Sequence, residues 1–241
     1  MYGALCSLYY DVTEKYATAA ELDFYTSFMK PQDRVLEAMS GSGRLQLPLL
    51  QRGYTVDGVD SSPHMIDRCR ASAQLFNVQP LLYEQRLETM CLEYSYDMTI
   101  IAVASFQLIV DPEVALQALQ NIHARMHKGG NLFLDIFVPD VSFDPAIRSS
   151  YTAYVDDRTT IAFSACYELC QDKQYIDAFC TYELSVDGCV QKREHEHMRL
   201  VWYTDEQLCT MLNRAGFAIV DINVQPFRPA GPSRIVQARA C

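Results

Sequence analysis

The chain has 241 residues, of which 49% are hydrophobic and 21% charged, and its net charge is −10. That length supports one substantial core, and the balance of apolar and charged residues is that of a folded globular protein. Its lysines and arginines form no basic stripe, so nucleic acid is not an expected partner.

The longest nearly apolar run, residues 98–110, is shorter than the ~18–20 residues of a membrane span, so no membrane association is expected. The N-terminus lacks the charged and apolar regions of a secretory signal. Nine cysteines occur without a C-x-x-C pair, and the Cys166–Cys170 spacing does not suit a zinc knuckle. Reduced thiols of a cytoplasmic protein are expected, and no metal site.

In chain order, "RVLEAM" (34–39) reads as a first strand, followed by a loop with Gly41 and Gly43 and then a helical pattern. "YTVDGVD" (54–60) is the second strand, and Ser61-Ser62-Pro63 starts a helix with Met65, Cys69 and Ala73 on one stripe. "QPLLYEQ" (79–85) and "DMTIIAVAS" (97–105) are strands three and four. Asp111-Pro112 opens a helix with Leu116, Leu119, Ile122 and Met126 at helical spacing, which Gly129-Gly130 closes before the fifth strand, "NLFLDIF" (131–137). Strands alternating with helices predict a parallel sheet covered on both faces.

After Pro139 the rhythm changes. "IAFSACYEL" (161–169), "YIDAFCTYELSV" (175–186) and "CVQKREHEHMRLVWY" (189–203) read as antiparallel strands, with Asp187-Gly188 as a two-residue hairpin turn. That turn makes Val186 face Cys189, Glu183 face Lys192, Cys180 face His195, Ala178 face His197 and Ile176 face Arg199. On this register the two histidines share a face with an apolar partner strand and look inward over a pocket. The alternative is a solvated hairpin of mixed charge, and a β-bulge would change the pairing. "TDEQLCTMLNRAG" (204–216) is a helix with a Thr204/Gln207 capping box, and "FAIVDINV" and "SRIVQARA" are closing strands.

A strand feeding a glycine turn and a helix directs backbone N–H groups to the carboxyl edge of a sheet. The nicotinamide fingerprint fails, because its third glycine position is Gln46, and no G-K-S/T phosphate loop is present. Asp60 stands 17 residues past Gly43, where a carboxylate can accept both hydroxyls of a ribose. Glu37 beside the loop would repel a pyrophosphate and attract a sulfonium or amino group. That pairing favours S-adenosylmethionine (SAM).

The stretch "VLEAMSGSGRLQLPLLQRGYTVDGVDSSPHMI" (35–66) resembles the first two motifs of class I SAM-dependent methyltransferases: an acid, a glycine-rich turn, and an acid closing strand two. Glu37, Gly41, Gly43 and Asp60 match, and Met39 replaces the first glycine. The resemblance implies a doubly wound, seven-stranded, mostly parallel α/β sheet with a small antiparallel insert after strand five. It implies an N-terminal lid (1–30), a SAM-binding core (31–140), a β insert or roof (141–203) and a closing helix and strands (204–241).

For the cofactor it implies that Glu37, Ala38, Met39, Gly41 and Gly43 line the methionine moiety, and that Asp60 and Ser61 bind ribose. Met65 would lie beside the adenine, with Gln85, Arg86 and Leu87 at its edge. Ala104, Ser105 and Phe106 would lie under the methyl group, and Tyr9, Tyr10 and Tyr16, ahead of the first long helix, would belong to the lid.

The expected activity is methyl transfer to a nitrogen or oxygen of a small molecule. His195 or His197 would act as base, with Arg199 or Tyr203 orienting the acceptor. A SAM-binding sensor without turnover is the second reading, motivated by Met39 and by the absence of an acid at Gln85 or Arg86. A nucleotide-dependent oxidoreductase is the third.

Overall fold

The computed structural model describes residues 2–13, 16–139, 148–228 and 231–241. Helices α1 (Ala4–Thr13) and α2 (Ala19–Thr26) precede strand β1 (Arg34–Ala38), so Tyr9 and Tyr10 lie inside a helix and not ahead of one. Helix α3 (Gln46–Gln51) follows the glycine loop and leads to β2 (Thr55–Asp60). Helix α4 (Pro63–Phe76) starts where expected: the Ser62 hydroxyl accepts the Met65 N–H, and proline takes the first turn. Strands β3 (Leu81–Glu84) and β4 (Tyr96–Ile101), helix α5 (Pro112–His123) and β5 (Met126–Ile136) complete this half.

Two boundaries differ from expectation. Strand β4 ends at Ile101, four residues early, because Val103 and Ala104 turn left-handed at φ 58° and 55°. Helix α5 ends at His123, and Gly129-Gly130 lie within β5. A β-carbon on Gly130 would stand 2.8 Å from the Asp97 carbonyl, so close strand packing requires this glycine.

The remaining elements are β6 (Ser149–Tyr154), β7 (Thr159–Cys170), β8 (Tyr175–Val186), β9 (Cys189–Val201), α6 (Asp205–Arg214), β10 (Phe217–Arg228) and β11 (Gly231–Ala240). The first residues assigned to the insert, 141–147, lie outside the described residues. One sheet has seven strands in the order β10-β11-β5-β4-β1-β2-β3. Pairing is parallel from β5 to β3 and antiparallel at β11. The second sheet is antiparallel, in the order β6-β7-β8-β9.

Successive residues of β1 serve opposite faces of the large sheet. Leu36 and Ala38 join the cluster under α5 and α6, with Leu119 and Leu212, while Val35 joins Leu49, Met98 and Phe133 on the other face. Helix α1 packs its Leu5 and Cys6 against Ala165, Ala178 and Tyr182 of the small sheet.

The hairpin turn is as expected, with Asp187 and Gly188 both left-handed and Val186 facing Cys189. A bulge then shifts the register: Ser185 faces Val190 but Leu184 faces Lys192, leaving Gln191 as the extra residue. Glu183 therefore faces Arg193, His195 faces Thr181, His197 faces Phe179 and Arg199 faces Asp177. The apolar partners Ala178 and Cys180 instead face Met198 and Glu196.

Candidate active site

The glycine loop leaves β1 through Met39, which is left-handed at φ 59°. Glycine adopts this conformation freely, while a β-carbon there costs about 1–2 kcal/mol. Asp60, closing β2, ties the loop down. Its carboxylate accepts the Gly41 N–H at 2.9 Å and the Ser62 N–H at 2.8 Å.

Gly41 and Gly43 do different work. A β-carbon on Gly41 would meet only Met65 Sδ, at 3.8 Å, so the backbone is open to a ligand. One on Gly43 would lie 2.6 Å from Cys69 Sγ, so this glycine serves helix packing. Gln46 is fully buried in the same seam, where its amide donates to the Val56 carbonyl at 3.0 Å and its oxygen accepts from the Cys69 thiol at 3.6 Å.

Glu37 is 4% exposed, and its Oε2 has no hydrogen-bond partner among the described residues. Burial pushes its carboxyl up to about 8, against the opposing pull of the Arg44 charge and the Gln46 N–H. Arg44 is itself held by both oxygens of buried Glu21, at 2.9 and 2.5 Å. The Ser40 hydroxyl is also buried without a partner among the described residues. Burial raises Asp60 as well, although its bonds from Ser62 and Gly41 pull the other way.

These groups line a cavity of about 790 Å³. Of the expected site residues, it brings together Tyr10, Glu37, Met39, Gly41, Asp60, Ser61, Met65, Gln85, Arg86 and Leu87, with His195, His197 and Arg199 from β9. Ala38, Gly43, Ala104, Phe106, Tyr16 and Tyr203 are not on its wall. Tyr16 packs edge-on against Phe76 with ring centres 4.7 Å apart, and Tyr203 is buried against Phe106. Gln85 clasps the Cys91 backbone through both ends of its amide, and Arg86 pairs with Glu88.

At the exit of β4, Val103 and Ser105 also line the cavity. Asp135 of β5, 3% exposed, accepts the Val103 N–H at 2.9 Å. Fully buried Gln107 donates to the Phe137 and Val201 carbonyls at 2.8 and 2.7 Å and accepts the Phe137 N–H at 2.6 Å. Sequence reasoning missed both residues. For Asp135 the available signal was an acid within the apolar end of the fifth strand, and Gln107 carried none.

His195, His197 and Arg199 share one face of β9, and with Asp177 of β8 they form a polar cluster. Asp177 accepts two bonds from Arg199, at 2.7 and 2.6 Å, and lies 2.8 Å from His197 Nε2. Its bonds to Arg199 hold the Asp177 carboxyl below the usual carboxylate range. The His197 ring stacks on Phe179 at 4.8 Å, and His195 Nδ1 lies 3.0 Å from the Thr181 hydroxyl. On the opposite face, Glu194 accepts the Leu5 N–H at 2.7 Å and Glu196 accepts that of Gly3. Carboxylates from the small sheet thus cap the start of α1.

The fit to a ligand follows from these groups. The unpartnered Glu37 oxygen suits a cationic head, the Asp60 carboxylate has lone pairs left for hydroxyls, and Met65 offers an apolar surface. The bare backbone at Gly41 admits close approach.

The chain is similar to known methyltransferases. Residues 35–130 match the family described as "Methyltransferase domain". A protein of Geobacillus sp. (strain WCH70), provisionally named a methyltransferase, is 23% identical over 232 residues, 91% of each chain. A SAM-dependent methyltransferase from Clostridium acetobutylicum ATCC 824 superimposes with a TM-score of 0.75 at 15% identity, covering 96% of each chain. SAM-bound CalS10, an amino pentose methyltransferase from Micromonospora echinaspora, gives 0.69 at 15% identity over 91% of this chain and 88% of its own. At such identities the structural likeness speaks for the fold.

Proposed function

We propose that the chain is a SAM-dependent methyltransferase of the class I fold that methylates an amine or hydroxyl of a small molecule, a reading supported by the family match over residues 35–130 and by the similar methyltransferases. The observation that carries this reading is the buried Glu37 Oε2, without a partner among the described residues, on the wall of a cavity of about 790 Å³. A buried carboxylate oxygen without a partner is costly, and a cationic ligand relieves that cost.

In this reading Glu37 and Ser40 hold the methionine end, Asp60 and Ser61 the ribose, and Met65 with Gln85, Arg86 and Leu87 the adenine. The cofactor supplies an activated methyl group on a good leaving group. What the chain must add is alignment. An acceptor held in line at about 3–3.5 Å accounts for about 7–11 kcal/mol of barrier lowering.

His195 or His197 takes the proton released by an amine or hydroxyl. Arg199, fixed by Asp177, orients the acceptor, while Tyr203 lies off the cavity wall, buried against Phe106. Residues 1–30 serve as the lid, with Tyr10 reaching the cavity, over a core of 31–140. The described residues of 141–203 form the roof and those of 204–241 the closing elements. Nine free thiols support a cytoplasmic setting. No helix among the described residues is long and apolar enough to cross a membrane.

The relative named as an amino pentose methyltransferase makes an amino sugar the first acceptor to try. The test is methyl-labelled SAM with a panel of amino sugars and their hydroxyl analogues. Label transfer to the sugar supports the reading. Full turnover in both His195→Ala and His197→Ala variants would remove the proposed base. The strained Met39 favours one competing reading, a module that binds SAM and transfers nothing. SAM binding without product from any acceptor is its signature.

A further inference from the structure

The wall beside the Glu37 site is built from strained backbone. Val103 and Ala104 are left-handed in succession, at φ 58° and 55°, and Val103 is β-branched, the residue type least suited to that conformation. Such a pair persists only where its surroundings over-determine it. Here Val103 meets two demands: it lines the cavity, and its side chain packs against the core cluster that contains Met98 and Phe133. Meeting both requires the chain to reverse sharply at the end of β4.

Two buried polar side chains hold the reversal. Asp135 accepts the Val103 N–H at 2.9 Å, and Gln107 pins the following turn to Phe137 and Val201. A carboxylate acceptor on a backbone N–H is among the stronger hydrogen bonds available. Asp135 lies on β5 and is not on the cavity wall. Val103 is the cavity-lining residue that it holds.

We propose that Asp135 is a positioning residue for the cofactor cavity: by holding the Val103 N–H it keeps Val103 and Ala104 left-handed and fixes the wall next to Glu37. The inference rests on the cofactor reading above and adds a residue to it. It separates Asp135 from an acid that merely fills a polar gap in the sheet. If the brace works against strain, removing the strain makes the brace dispensable.

The test is a double-mutant cycle of Asp135→Ala and Val103→Gly. Its readouts are the melting temperature without ligand and calorimetric titration with S-adenosylhomocysteine, the demethylated cofactor. In the wild-type background, D135A is expected to weaken binding at least about tenfold, the cost of an orphaned, part-buried N–H and a relaxed wall. In the V103G background, where glycine is left-handed without strain, the same change is expected to cost about threefold or less. Asp135→Asn keeps an acceptor oxygen and is expected to bind within about twofold of wild type. It covers the case in which D135A does not fold.

Equal losses from D135A in both backgrounds, or wild-type affinity in D135A, would overturn the proposal. So would an Asp135→Asn variant as weak as D135A. A wild-type protein that binds no S-adenosylhomocysteine would instead refute the cofactor reading. The melting temperatures would then decide the brace alone, through a smaller D135A loss in V103G than in wild type.

Discussion

Gly43 lies so close to Cys69 that a β-carbon on it would stand 2.6 Å from the cysteine sulfur. Leu47 Cγ would be 2.8 Å away. Gly43→Ala is therefore expected to destabilise the fold by about 1–3 kcal/mol through overpacking, with left-handed strain added. Gly41→Ala would meet only Met65 Sδ, at 3.8 Å, so its stability cost is the left-handed strain alone, about 1–2 kcal/mol, while the methyl group blocks the cofactor. Melting curves of the two variants, with and without S-adenosylhomocysteine, separate a packing glycine from a binding one.

Glu37 carries a stability cost that its ligand removes. Its folded carboxyl titrates near 8 because of burial, well above an unfolded glutamate. The folded state thus keeps a proton that the unfolded chain has lost. Stability falls as pH rises from about 4.3 toward 8 and levels off above that. Glu37→Gln removes this slope, so its ligand-free melting temperature should exceed that of wild type by a gap that widens from pH 5 to 8. The same variant should bind SAM at least about tenfold more weakly, having lost a charged partner for the cation.

Asp57 anchors a network away from the cavity. It accepts two bonds from Arg34, at 2.7 and 3.0 Å, and one from the Tyr96 hydroxyl at 3.0 Å. Asp57→Ala is expected to destabilise by about 2–4 kcal/mol, discounted because Arg34 retains some access to water. Affinity for S-adenosylhomocysteine, measured below the melting transition, should not change.

Asp177 gives the opposite pH signature to Glu37. Its bonds from Arg199 depress its folded pKa, so its contribution is present above the unfolded value of about 3.9 and lost as pH falls through the folded one. Asp177→Asn should melt below wild type at pH 7, and the two should converge as pH drops below about 4.

Sequence patterns placed the main elements because their causes are local. Ser62, Asp111 and Thr204 cap helices that begin where they stand, and Asp187-Gly188 turns the hairpin with both residues left-handed. Features set by distant partners were not legible. The bulge at Gln191 moved His195 and His197 away from the apolar face of β8. Strand β6 is polar and mostly exposed, and its pairing with β7 defines it. Helix α1 buries Leu5 and Cys6 only because the small sheet lies against it. At the site, Glu37, Gly41 and Asp60 could be read from their spacing. Asp135 and Gln107 could not, since each bonds backbone 30 or more residues away.

The central claim is the cofactor, and the most direct test is the melting temperature under titration with SAM, S-adenosylhomocysteine and NADH. A ligand at about 100 times its dissociation constant adds about 2.7 kcal/mol, a rise of several degrees for a domain of this size. The account predicts that rise with SAM and with S-adenosylhomocysteine, and none with NADH. No rise with either SAM or its product, or a rise with NADH alone, would contradict it.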